Sequence, residues 1–377
     1  MMDYAFLRMT WWMLLGVLLT GFALTDGYDL GVAAILRLIG RDDVERRMAI
    51  QSIEPHWEGH QVWFVLGGGA VFAAWPLLYA ASFSGFYFAM LLVLLALILR
   101  PVGFAFRNRL PHARWRATWD WALTLSGVVP SLVFGVAFGN LFLGVPFHFT
   151  PDLRPVYDGG FLQLFHPFAL LSGVVSLGML VMHGASFAAM KIEAPVGTRA
   201  AAIARIAAVA TMAAFIACGA WLLALPGPVL LGAPITDGPS NPLGKDVVLS
   251  SGAWLIHHGR HPATLLLPLA ALLALGTVAL WRRPVCRFVA SGVAVAAIVF
   301  TAGVALFPFL LPSSTAPAQG LTVWDASSSE RTLGIMLFAT CLLLPIVLAY
   351  SAWAFRVMRG PVTRALVQAH DVHEETY

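Results

Sequence analysis

The stretch QVWFVLGGGAVFAAWPLLYAASFSGFYFAMLLVLLALIL, residues 61–99, decides the fold. It can be read as one long apolar segment or as two membrane spans, 61–79 and 83–99, joined by a short turn. The rest of the chain settles the choice. Seven further apolar stretches lie near 9–30, 119–143, 161–188, 202–225, 263–281, 288–311 and 333–355, each close to the roughly 20 residues that a membrane crossing needs. With 61–99 split in two, the gaps on one side hold 18 Lys and Arg residues and those on the other hold 5. Merging it would move every later basic gap to the opposite side and erase that asymmetry. Basic residues gather on the cytoplasmic side. The sequence therefore predicts an all-α polytopic membrane protein of nine transmembrane helices, with the N-terminus outside and the C-terminus cytoplasmic, as a single integral membrane domain over 1–377.

Composition agrees. The chain is 59% hydrophobic and 11% charged, against about 25% charged in ordinary soluble domains. Its net charge of +4 comes from the arginines of the cytoplasmic gaps and needs no nucleic acid to explain it. Cys218, Cys286 and Cys341 are isolated, lack metal-type spacing and read as small apolar residues. The first apolar stretch has no small-residue cleavage site and runs into Thr25-Asp26-Gly27-Tyr28-Asp29, so it reads as a retained helix. Gaps 226–262, rich in Pro and Gly, and 312–332, rich in Ser and Thr, are expected to fold over the outer mouth. In gap 36–60 the first half has helical spacing and is expected to continue the first helix before a turn near Pro55. Trp11, Trp12, Trp115, Trp119, Trp281 and Trp353 sit near span ends, where indoles anchor in the headgroup layer. Gly135 and Gly139, and Gly67 to Gly69, have the spacing of close helix contacts.

Ionisable groups at membrane depth are costly, which makes them functional candidates. At 1.5 Å per residue, Asp26 and Asp29 lie about 25–30 Å inward from the outer start of the first span, on one helix face. The second span begins on the same side with His56-Trp57-Glu58-Gly59-His60. Asp120 opens the fourth span there and His183 closes the fifth. These groups suit a proton relay at the cytoplasmic mouth. The plainer alternative makes them interfacial residues paired with arginines such as Arg100 and Arg107. No span carries a histidine near its middle, so a haem ligand is not expected in this chain. Nucleophilic triads, dinucleotide loops and phosphate loops are absent. A proton-coupled transporter would place its binding groups near the midplane, not at one edge.

The residues then resemble a known family. Thr25-Asp26-Gly27-Tyr28-Asp29-Leu30-Gly31, Pro55-His56-Trp57-Glu58-Gly59-His60-Gln61-Val62-Trp63, Arg100-Pro101-Val102-Gly103-Phe104 and Gly135-Val136-Ala137-Phe138-Gly139-Asn140 are similar to subunit II of cytochrome bd ubiquinol oxidase. So are Gly144-Val145-Pro146-Phe147, Phe307-Pro308-Phe309, Pro312-Ser313-Ser314 and Leu321 to Ser328. The resemblance runs from residue 1 to about 356. It implies two four-helix bundles plus one helix, in the bacterial inner membrane. It implies pairing with a subunit I that carries two b haems and haem d and oxidises quinol, with small single-span accessory subunits as further partners, while this subunit ligates none of the haems and stabilises their assembly. It also implies a cytoplasmic proton pathway on which Glu58 is placed, with Asp29 and Trp57 lining the same region and Asp26, His60 and Asp120 as added candidates. Some members hold a structural quinone in subunit II, and Trp57 is a candidate for that contact or for the subunit interface. Many members carry Asp and Asn where this chain has Glu58 and His60. Glu58 keeps the carboxylate, and His60 adds a titratable group.

Overall fold

The computed structural model describes residues 3–358 and 360–374. Fourteen helices follow one another: α1 (Tyr4–Leu24), α2 (Asp26–Ile39), α3 (Asp43–Ile53), α4 (Trp57–Ala74), α5 (Pro76–Gly85), α6 (Tyr87–Phe106), α7 (Ala113–Leu143), α8 (Pro167–Lys191), α9 (Val196–Ala224), α10 (Ile256–Arg260), α11 (Leu266–Leu280), α12 (Pro284–Leu306), α13 (Glu330–Val357) and α14 (Arg364–Glu374). Among the described residues, eight helical segments are long and apolar enough to cross a membrane, α1 and α2 counting as one. The chain is thus a multi-pass membrane protein.

The remaining expected span, 61–79, falls across α4 and α5. The cause is local. Proline disfavours helical geometry in the residue before it, and Trp75, which precedes Pro76, leaves the helical region at φ −137°, ψ 74°. Its side chain is fully buried. A milder break separates α1 from α2 at Thr25, whose hydroxyl donates to the Gly21 carbonyl at 2.7 Å. That break puts Asp26 and Asp29 in the first turn of a new helix, where the helix dipole favours negative charge.

The first helix therefore continues to Ile39, and the expected extension is interrupted only at Gly40. α3 is a separate amphipathic helix, started by Asp42, whose carboxylate accepts from the Glu45 amide at 2.7 Å.

α2, α7 and α8 meet at backbone distance. A Cβ on Gly31 would lie 2.0 Å from the Leu180 carbonyl oxygen, and one on Gly184 would lie 2.5 Å from the Val32 amide. Gly127 meets Ala34 and Leu30 in the same way, and Gly135 and Gly139 lie against Ser172 and Ala169 of α8. A Cβ on Gly67, Gly68 or Gly69 would meet nothing within 4 Å, so none of the three marks a close helix contact within this chain, although Gly67 is buried.

Outside the helices, three two-stranded antiparallel sheets form: Phe147–Phe149 with Pro155–Tyr157, Pro226–Leu230 with Val247–Ser251, and Phe309–Leu311 with Leu321–Thr322. Both polar gaps close over the start of α1. The fully buried Arg8 guanidinium donates to the Thr236 and Gly238 carbonyls and to the Ser240 and Ser327 hydroxyls, and it lies 3.6 Å over the Tyr4 ring.

Two plainer expectations change. Trp11 is no headgroup anchor: it is buried and its indole N–H donates to the Leu333 carbonyl at 3.0 Å. Cys286 and Cys341 are exposed on their helices rather than buried.

Candidate functional site

The acidic and histidine side chains divide into three groups. In the first, Asp29 on α2 and His60 on α4 face each other, with 2.7 Å between Asp29 Oδ2 and His60 Nδ1. A carboxylate only accepts, so Nδ1–H donates and Nε2 is left as an acceptor. The Tyr28 hydroxyl lies 3.4 Å from that Nε2. The His56 ring stacks parallel to His60 at 6.0 Å, and Phe355 of α13 closes over both. Asp29 Oδ1 and His56 Nδ1 are buried without a partner, so each can still take a hydrogen bond or a proton. Burial, and secondarily the neighbouring charges of His60 and Lys191, press the His56 imidazole down to about 4.

The second group consists of fixed ion pairs. Asp26 is held by Arg100, and both side chains are shielded from solvent. Asp120 receives Arg107 Nε at 2.6 Å and Arg46 at 3.0 Å. Arg107 also reaches Asp43 at 2.9 Å, where Arg116 arrives from the other side. A chain of alternating charge thus ties α3, α6 and α7 together. The plainer alternative, carboxylates paired with arginines, describes Asp26 and Asp120. Further along the same end, Arg199 pairs with Glu45 at 2.6 Å and Arg364 with Asp42 at 3.2 Å. The Glu45 amide, and then Arg364, hold the Asp42 carboxyl below its ordinary range. Burial pulls the Glu45 carboxyl upward, but the Arg41 amide and Arg199 outweigh it and leave it low.

The third group looks away from the rest. Glu58 is exposed, two residues from His60 and therefore on the opposite, outer face of α4. Trp57 is half-buried, its ring 5.8 Å from Phe104. Val62, Val65 and Phe72 continue the Glu58 stripe as exposed side chains. The seven expected groups therefore do not converge on one point: Asp29, His60 and His56 meet, Asp26 and Asp120 are locked in arginine pairs, and Glu58 faces out. His183 lies beside the first group, with 6.1 Å between its ring and that of Tyr28, but both its nitrogens are engaged. Nε2–H donates to the Leu24 carbonyl at 3.1 Å, and Nδ1 lies 2.7 Å from the Ser291 hydroxyl.

Sequence reasoning missed Tyr28. Its hydroxyl reaches His60 only because the α1–α2 break turns it inward, and no spacing rule carries that. A cavity of about 660 Å³ was also unforeseen. It lies between α1, α4, α7, α8, α9, α10, α11 and α12, partly open, and it is lined by apolar side chains such as Phe22, Phe134, Phe138 and Met179, with Ser172, His258 and Thr301 as sparse polar groups. Trp57 is not among its lining residues.

Among the described residues no three His, Cys, Asp or Glu side chains gather as a metal site. The buried His60 and His183 have both ring nitrogens occupied.

Comparison with known proteins gives this arrangement a context. The family model described as cytochrome bd terminal oxidase subunit II matches residues 7–358. Cytochrome bd-I ubiquinol oxidase subunit 2 of Escherichia coli (strain K12) is 47% identical over 368 residues, covering 97% of each chain. Cytochrome bd ubiquinol oxidase subunit 2 of Bacillus subtilis (strain 168) is 30% identical over 94% of this chain and 96% of its own. The solved bd oxidase structure from Geobacillus thermodenitrificans aligns with a TM-score of 0.65 at 16% identity, over 93% of this chain and 98% of that one, a likeness of fold. A helical membrane bundle with a buried carboxylate–imidazole pair is thus placed by its whole length: the chain belongs to the cytochrome bd terminal oxidase subunit II family and is a subunit of a membrane oxidoreductase.

Proposed function

We propose that this subunit carries protons from the cytoplasm toward a dioxygen-reduction site in a partner subunit I, and that Glu58 is the group that passes them across the subunit boundary. The observation that carries this reading is the position of Glu58: an exposed carboxylate on an otherwise apolar helix face. Such a charge is costly against lipid, and a partner that covers it removes the cost. The neighbouring surface suits a docked helix bundle. A side chain at Gly68 or Gly69 would meet nothing in this chain, and only 6% of the most apolar window of α13, which packs beside α4, is buried. Trp57, at the edge of this face, belongs to the interface in this reading.

Behind Glu58, the Asp29–His60 pair serves as the exchange point. A carboxylate with one free oxygen beside an imidazole can take up and release a proton without either group moving far. Asp26 and Asp120 have a structural part, since each is tied into arginine pairs. The subunit has nine spans with the N-terminus outside, in the bacterial inner membrane. The two b haems and haem d sit in subunit I, which this chain stabilises in a heterodimer that small single-span accessory subunits can join. Haem supplies the electron and dioxygen chemistry there, and this chain's residues hold and move protons. The apolar cavity suits a structural quinone, whose tail would lie among its phenylalanines and whose carbonyls would find Ser172 or His258.

The test is proton uptake by the whole oxidase in sealed vesicles fed with quinol. Glu58→Gln should slow oxygen reduction and inward proton uptake together, with haem content unchanged. Normal turnover in that variant would leave an assembly subunit and nothing more.

A further inference from the structure

Six arginines at the basic end of the bundle are matched by carboxylates: Arg46 and Arg107 by Asp120, Arg100 by Asp26, Arg116 by Asp43, Arg199 by Glu45 and Arg364 by Asp42. The corner made by α9, α11 and α12 gathers four that are not. Arg205, Arg282, Arg283 and Arg287 stand there, and none forms an ion pair among the described residues.

Arg287 is 1% exposed. Its Nη2 donates to the Trp281 carbonyl at 2.7 Å, which closes the α11–α12 turn, but its Nε is buried without a partner. A buried guanidinium with no counter-ion is strongly unfavourable, so something anionic is due nearby. Arg205, from α9, is close enough for its charge to be felt at Arg287. It is exposed, as are Arg282 and Arg283 in the turn above. The start of α12 adds to the positive field: Arg283 at the N-cap provides no capping oxygen, and no acidic residue occupies the first turn.

The surrounding surface says which anion. Ile206, Leu273, Leu280, Val285 and Val289 are all exposed on these helices, and Trp281 is exposed at the turn. A charged headgroup site bordered by bare aliphatic helix faces matches an amphiphile, not a soluble ion or an acidic protein surface.

We propose that this corner binds the phosphate of an anionic phospholipid. Arg205, Arg282 and Arg283 hold the headgroup, the unpaired charge of Arg287 lies beneath it, and the acyl chains run along Ile206, Leu273 and Val289. Arginine suits the task because its planar fork meets phosphate oxygens in pairs. The inference stands apart from the proton pathway and needs only that the chain spans a membrane.

The experiment uses the intact oxidase complex, purified in mild detergent, with bound lipid counted by extraction and mass spectrometry. The wild type should retain phosphatidylglycerol or cardiolipin through washing. A variant with Arg205→Gln and Arg283→Gln, both exposed and neither expected to disturb folding, should retain about fivefold less for each arginine lost. Arg205→Lys should restore part of it. Haem content checks that the variants assemble, and the single Arg283→Gln serves if the double variant does not. Added phosphatidylglycerol vesicles should raise the thermal midpoint of delipidated wild type, while phosphatidylcholine vesicles and inorganic phosphate should not. Equal retention by wild type and variants overturns the proposal. So does an equal rise with inorganic phosphate, which would mean a free-anion site.

Discussion

His60 Nδ1 and Asp29 Oδ2 lie 2.7 Å apart inside the bundle, on helices α4 and α2. The pair joins the two helices through a charge-assisted hydrogen bond, and it leaves Asp29 Oδ1 free and His60 Nε2 facing Tyr28. Replacing His60 by Asn should keep the complex assembled because the amide can still donate to the carboxylate. The rate of quinol oxidation should fall about 10-fold, since an amide cannot take up and release a proton as an imidazole does. A rate identical to wild type would take His60 out of the route. Asp29→Asn should be more severe, with turnover lowered by about 10- to 100-fold.

The Asp26–Arg100 pair is sealed on both sides. Arg100→Gln leaves a buried carboxylate without its cation, a loss of about 3–5 kcal/mol. The yield of assembled, haem-containing complex should drop sharply. Asp26→Asn in addition should recover much of it, since the uncompensated charge is then gone. Equal yields for the single and double variants would show that the pair is not the cause.

Acid should loosen the cytoplasmic end in two stages. His56 sits at about 4 when folded against an ordinary 6.5, and Asp42 and Glu45 also sit below their ordinary values. All three groups bind fewer protons folded than unfolded, so stability rises with pH and falls as protons are added. The His56 contribution is complete above 6.5 and drains away between 6.5 and about 4. The carboxylate contribution follows only below the ordinary carboxylate range. Thermal midpoints taken between pH 7.5 and 4 should fall steadily, and His56→Gln should flatten the upper part of that fall. A midpoint constant from pH 7.5 to 5 would contradict this.

Glycines on two helices should behave in opposite ways. Gly31→Ala drives a methyl into the Leu180 carbonyl and should cost about 1–3 kcal/mol as α2 and α8 are pushed apart. Gly68→Ala meets nothing in this chain. Loss of subunit association in Gly68→Ala, with the subunit itself still folded, would locate the partner on α4. An unchanged association constant would move the interface elsewhere.

Much of this architecture can be read from the residues because membranes punish exceptions. Apolar runs and the sorting of arginines mark the helices, and the acidic residues stand out against them. Pro76 carries the signal for the break at Trp75, yet the expected span 61–79 runs straight through it. The pairings are not legible. Asp26 and Asp29 share a helix face by spacing, yet one meets Arg100 and the other His60, because α4 and α6 approach α2 from different sides. Glu58 and His60 are two residues apart and point to different surroundings for a simpler reason: two positions on a helix are about 200° apart. Which of them turns inward depends on how α4 packs, information that lies in no single stretch of sequence. The Tyr28 hydroxyl and the apolar cavity were hidden for the same reason.

The contact of Gly31 with Leu180 and of Gly184 with Val32 has a mechanical meaning. Two backbones locked at this distance make α2 a stator: it can neither slide nor rotate past α8 without collision. On the proposed pathway, proton transfer at Asp29 would rely on side-chain torsions and on hydration around this frame, because a piston stroke of α2 would collide with α8.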